Sequence, residues 1–265
     1  MTQSRTIEQM IPRINDDVLL PGIQREFVWE PDQMVQLFDS VMRGYPIGSF
    51  LFWEISGAEA ENRMKYKFIK NFITEGTFPN EFDDKNFRNP KINETTAELS
   101  NRLTLVLDGQ QRLTTFYIGL KGSLTERGYR LRREKPESWT EKKLYIDLLS
   151  DPSKTTDDKK KMKYRLEFKQ PVPEQSDSEY WYEVGNILSI NNRDELFDFQ
   201  KRVVEDVGEA YSNNIRRNSE ELWRAVYEKE IINYFELGSN HSDDILDIFV
   251  RANEGGTQLG KESLS

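Results

Sequence analysis

The sequence predicts an α+β fold, and three observations carry that reading. A helix signal over residues 31–42 stands beside apolar runs at 47–55 and 103–107 that read as strands. Helices outnumber strands, and the two mix without the strict strand–helix alternation of a doubly wound parallel sheet. The run Leu103–Leu107 also passes through a tight turn directly into a helix, so both element types meet at one corner.

Taken in order, Ile7, Met10, Ile11 and Ile14 recur at helical spacing within 4–14, where Pro12 argues against a long helix. Residues 18–29 read as extended, interrupted by a turn at Pro21–Gly22. Over 31–42, Pro31 suits a first helical turn, and Met34, Leu37, Phe38, Val41 and Met42 form one stripe. Gly44 ends that helix and Pro46 prevents its resumption. Residues 47–55 follow as a strand, and 57–101 as a polar excursion holding a strand or two. Leu103–Leu107 is a buried strand, and Leu113, Phe116, Tyr117 and Leu120 mark the helix behind it. Residues 143–149 and 164–168 alternate as strands around a charged surface loop. Helices are expected over 193–207 and 219–229, with Asn192 and Ser219 as caps, then a strand over 231–237. A last helix after Ser242 carries Ile245, Leu246, Phe249 and Val250 and stops before Gly255–Gly256.

Composition excludes several functions. Leu, Ile, Val and Phe make up about a quarter of the chain, enough to fold despite 31% charged residues. The chain has no run of about 18 apolar residues to span a bilayer, and its first residues lack a signal-peptide core. A cytoplasmic protein with no membrane partner is therefore expected. The absence of cysteine removes disulfides and thiol chemistry, and the single histidine, His241, removes any site needing two imidazoles. A net charge of −9 argues against the whole surface binding nucleic acid, though a local basic patch is compatible with it.

Four stretches hold residues suited to chemistry. In Asp108-Gly109-Gln110-Gln111-Arg112, Gly109 permits a tight turn, and the following helix start offers unpaired N–H groups to an anion. Arg112 can grip a phosphate, and Gln110 or Gln111 a base, a ribose or an attacking water. Asp108 can accept a proton or hold Mg²⁺ through water. An ordinary strand–turn–helix corner explains the same residues. Gln24 and Arg25 lie between apolar residues in 21–29, where they can share an anion or line a solvated strand edge. Arg251 and Asn253 precede two glycines that also serve as a helix cap. Arg127, Arg130, Arg132 and Arg133, with Tyr129 among them, and a second cluster over 159–165 can meet phosphate backbones or form solvated charged faces.

Together, PGIQREFVW at 21–29, RGYPIGSFLFW at 43–53, LVLDGQQRLTT at 105–115 and FVRANEGGTQL at 249–259 resemble the N-terminal domain family of GmrSD-type restriction endonucleases. The resemblance spans nearly the whole chain. It implies a ParB/sulfiredoxin-like core of a small mixed sheet with helices, plus helical additions. Residues 1–265 then form one domain, with a core of about 1–125 and 225–265 carrying a strand and helix insertion of about 126–224. It also implies a regulatory domain of a bacterial DNA-defence endonuclease that binds a nucleoside triphosphate with Mg²⁺ and hydrolyses it. The alternative is a sensor of modified DNA without catalysis. Carried over, Asp108, Gln110, Gln111 and Arg112 are catalytic, with Asp108 also the metal ligand. Gln24, Arg25, Gly109, Arg112, Thr114, Arg251 and Asn253 bind nucleotide; the basic run with Arg127, Arg130, Arg132 and Arg133, read from its charge and not carried over, attracts DNA, including modified phage DNA, in the alternative. Many members continue into a C-terminal HNH nuclease domain. The end at Ser265 and the lone histidine leave that domain to another part of a longer protein or to a partner subunit.

Overall fold

The computed structural model describes residues 2–22, 26–56, 60, 63–74, 88–92, 102–154 and 161–238. Gln24, Arg25, His241, Arg251, Asn253 and the helix expected after Ser242 lie outside these residues.

The α+β class is correct. A six-stranded mixed sheet forms from β1 (Thr2–Arg5), β2 (Val18–Pro21), β3 (Phe50–Ser56), β4 (Lys65–Tyr66), β6 (Arg102–Asp108) and β11 (Ile232–Leu237), in the order β1-β11-β3-β6-β2-β4. The β11–β3 and β2–β6 pairs are parallel, whereas β1–β11, β3–β6 and β2–β4 are antiparallel. A second sheet runs β10 (Trp181–Glu183), β8 (Trp139–Asp147), β7 (Ser123–Arg127) and β5 (Asn71–Ile73), with β9 (Leu166–Lys169) paired to β8. The second sheet thus takes β5 and the first residues of β7 from before residue 126.

Five α-helices are described: α1 (Ile7–Met10), α2 (Pro31–Met42), α3 (Gln110–Lys121), α4 (Arg193–Val207) and α5 (Ser212–Tyr227). Helix α1 is a single turn held by a capping box between Thr6 and Gln9, and Pro12 sits in a 3-10 turn after it. Residues 4 and 5, at the start of the stretch read as helical, belong instead to strand β1, because β11 gives their backbone a sheet partner. Helix α2 has the expected bounds, with Pro31 in its first turn and Gly44 at φ +73° beyond its end. Asn192 caps α4 by accepting from the Glu195 N–H at 2.9 Å. Ser219 is no cap: α5 begins seven residues earlier, and the buried Ser219 hydroxyl donates to the Ile215 carbonyl at 2.6 Å.

The larger sheet is covered on both faces, which explains the nearly continuous apolar run of β6. Val106, Phe50 and Phe52 face the main core with Phe38, Phe116 and Trp223. Leu103, Leu105 and Leu107 alternate to the other face with Leu19, Trp53 and Ile55. The main cluster continues through Leu144, Ile146 and Leu166 of the second sheet, so the two sheets share buried apolar residues. Burial of Asp39 on α2 is compensated: its carboxylate accepts from the Lys163 and Tyr164 N–H groups at 2.9 Å each and from Arg43.

Candidate functional site at the strand–helix corner

Strand β6 ends at Asp108, opposite a register shift between Leu51 and Phe52 of β3. Gly109 then turns the chain with φ +93° and ψ 5°, a left-handed conformation open to glycine at little cost. A Cβ there would lie 2.6 Å from Cε1 of Phe50, whose ring is fully buried. Space and backbone geometry therefore both require glycine, and the close approach at Gly109 is made by Phe50. Helix α3 starts at Gln110, and Gly109 at its N-cap has no side chain to cap it. Its leading N–H groups make a positive end beside the Asp108 carboxylate, which is 49% exposed.

The two motif residues that follow turn inward. The Gln111 side chain is 6% exposed. Its Oε1 accepts from the Val28 N–H at 3.0 Å, and its Nε2 donates to the Glu26 carbonyl at 3.0 Å. One amide thus pairs with a backbone segment as a neighbouring strand would. Arg112 does the same for another segment. Its guanidinium donates to the Ile47 carbonyl, to the Ser49 carbonyl at 2.9 Å and to Asp108 at 3.3 Å. It also lies 4.3 Å over the Phe50 ring. Gly48, at φ +82°, leaves room for it, since a Cβ there would stand 2.8 Å from Arg112 Nη1. Burial lowers the Arg112 pKa, and the Asp108 carboxylate acts in the opposite sense.

The structure gives three of the residues singled out in the sequence the following surroundings. Gln111 has both ends of its amide engaged with backbone. Arg112, only 15% exposed, holds the 47–49 turn and Asp108. Thr114 is 2% exposed on α3 and faces the interior. Gln110 is equally enclosed, at 6% exposed. Of the five motif residues, Asp108 alone carries a functional group substantially open to solvent. Gln24 and Arg25 lie outside the described residues, but Glu26, next to Arg25 in sequence, is bonded to Gln111 at this corner.

The residues that sequence reasoning missed here are Phe50 and the backbone groups of Glu26, Val28, Ile47 and Ser49. Their only signal was that 21–29 and 43–53 accompany the DGQQR stretch; the structure shows that stretch bonded to both.

The expected DNA contacts separate. Arg127 ends β7 and donates to the Leu131 carbonyl. Arg130, Arg132 and Arg133 lie on the exposed loop to β8. In the second basic cluster, Arg165 is held by Asp147, Glu167 and Glu179. Away from the corner, a cavity of about 680 Å³ is lined by Glu30, Asp32, Glu126 and Glu167 together with Arg165. Its excess of carboxylates disfavours a phosphate ligand. Among the described residues no helix is long and apolar enough to cross a membrane.

Fold and site together define a mixed α+β domain built around one strand–glycine–helix corner that bonds two distant loops. The chain belongs to the GmrSD restriction endonuclease, N-terminal domain family, which matches residues 7–264, and so forms part of a restriction endonuclease system. A comparison with curated proteins gave no match.

Proposed function

We propose that this chain is the nucleotide-binding regulatory domain of a DNA-defence endonuclease, hydrolysing a nucleoside triphosphate slowly at the β6–α3 corner. One observation carries the reading: Gly109 leaves the N-cap position of α3 without a side chain, and the half-exposed Asp108 carboxylate stands at its edge. N–H groups at such a helix start bind phosphate oxygens, and the dipole favours their charge. Arg25 is the cation assigned to the phosphates, because Gln111 bonds the adjoining Glu26 and Arg112 is engaged elsewhere. Arg251 and Asn253 complete the proposed nucleotide set.

Among the described residues no group of three His, Asp or Glu is gathered to hold a metal. Mg²⁺ commonly binds through one or two carboxylates together with phosphate oxygens and water, and the lone Asp108 fits that mode. When bound, Mg²⁺ would neutralise charge on the phosphates. The chain's own contribution is orientation, since Phe50 and Arg112 fix the corner before the ligand arrives.

Hydrolysis of ATP, GTP, CTP and UTP with Mg²⁺ is to be compared for wild type, Asp108→Asn and Arg25→Ala. The reading expects one nucleotide to be turned over by wild type and lost in both variants. Equal rates in all three proteins remove it. The inward commitment of Gln111 and Arg112 favours a second reading, a DNA-modification sensor without catalysis. Tight nucleotide or modified-base binding with no turnover would select it.

A further inference from the structure

We propose that the loop joining β7 to β8, residues 128–138, is the surface by which this domain holds DNA, and that it favours an unpaired or extruded nucleotide over regular duplex. The proposal takes DNA as partner from the restriction endonuclease family and does not depend on nucleotide hydrolysis.

All residues from Tyr129 to Glu137 are exposed, so this loop stands clear of the two sheets. It carries Arg130, Arg132, Arg133 and Lys135 against Glu134 and Glu137, a local positive excess on a chain of net charge −9. Lys135 and Glu137 pair at 3.4 Å at the far end, which leaves the arginine side of the loop with the surplus. Among the described residues, Arg130 and Arg132 form no ion pair. On an acidic body, a protruding basic tip is where a polyanion can approach with least repulsion.

Its shape adds selectivity. The Tyr129 ring is 83% exposed, which is unusual for so large an apolar surface. The Arg130 guanidinium lies 4.8 Å over that ring. A tyrosine and a guanidinium stacked in solvent offer a flat plate suited to a base face, and stacking reaches bases only when they are unpaired. Arg130 takes the left-handed conformation, at φ +61°, that folds it back over its neighbour.

The loop is also prearranged. The Gly128 N–H donates to the Ser138 carbonyl at 2.8 Å, and the Leu131 N–H to the Gly128 carbonyl at 3.1 Å. Trp139 Nε1 donates to the Arg133 carbonyl at 2.9 Å, and Arg127 reaches the Leu131 carbonyl. These bonds hold the backbone at both ends of the arginine run, so less order is lost on binding. Arg127 accordingly serves as a brace for the loop rather than as a phosphate contact.

The test uses the full chain and fluorescence anisotropy with three oligonucleotides: single-stranded DNA, a duplex with one unpaired base, and a matched duplex. The expected order places the matched duplex weakest. Tyr129→Ala should weaken the first two by about tenfold and leave the third unchanged. The triple variant Arg130→Gln/Arg132→Gln/Arg133→Gln should weaken all three and reduce the slope of log affinity against log salt by about 2. The altered side chains are exposed, and unchanged thermal melting verifies folding. No binding to any of the three at low salt overturns the proposal. So does an unaffected affinity in either variant, or tighter binding of RNA through the same residues. Asp108→Asn, measured alongside, keeps DNA binding even if it abolishes hydrolysis, so failure of one reading is separable from failure of the other.

Discussion

Gly109→Ala should be far more damaging than the same change at an ordinary turn. Two penalties combine. An alanine held at φ +93° pays about 1–2 kcal/mol for the left-handed backbone. Its Cβ would also lie 2.6 Å from Cε1 of the fully buried Phe50 ring. Overpacking of this kind costs about 1–3 kcal/mol. The sum is about 2–5 kcal/mol, a fall in Tm of about 4–20 °C for a chain of this size. Urea denaturation followed by circular dichroism measures it directly. Phe50→Leu removes the ring edge, so in that background only the backbone penalty should remain. The double-mutant cycle should then show a coupling of about 1–3 kcal/mol. A Gly109→Ala protein within about 0.5 kcal/mol of wild type, or strictly additive changes, would refute the packing described at this corner.

Other consequences follow from the same interactions. Arg112→Lys should lose about 2–4 kcal/mol, because an ammonium cannot serve the Ile47 and Ser49 carbonyls with one planar fork. Asp108→Asn should cost no more than about 1 kcal/mol, since that carboxylate is half exposed; equal losses in the two denaturation curves would contradict the assignment. Gln111→Ala leaves the Val28 N–H and Glu26 carbonyl without this partner, and hydrogen exchange at Val28 should accelerate by the equivalent of about 1–3 kcal/mol; unchanged protection there would argue against the bond. Burial pushes the Tyr164 pKa up to about 12. A raised folded-state pKa gives stability that is complete below the unfolded value of about 10 and is lost as pH rises through 12. Tyr164→Phe should therefore flatten the decline of the denaturation midpoint over that interval, and identical alkaline limbs would exclude the effect.

How much of this was legible beforehand depended on range. Helix α2 was readable because Pro31, the apolar stripe and Gly44 all act within one helix. The run of β6 into α3 was readable for the same reason, as a local change from an apolar strand to helical spacing around one glycine. Strand β7 was hidden because its residues, Ser123–Arg127, combine polar and charged side chains, and its identity comes from pairing with β5 and β8. The start of α5 was hidden because Asn213, Asn214 and Arg216 mask the first turns, while its buried face begins at Ile215. At the site, residue types singled out this corner, but the intramolecular partners of its side chains were not legible. A glutamine and an arginine can bind a ligand or a distant carbonyl with equal chemistry. Backbone carbonyls such as Ile47 and Ser49 leave no trace in sequence, so the structural use of Arg112 had no local signature.

The position of β11 bears on how the molecule is made. It lies between β1 and β3, so the first strand of the chain meets its partner only after more than 225 intervening residues have been synthesised. Ordering by such distant contacts is slow, and partners separated this widely are exposed to wrong pairings meanwhile. On the ribosome, Thr2–Arg5 must wait with an open edge while the rest of the sheet assembles. The emergence of Ile232–Leu237 from the exit tunnel is therefore the event that closes it.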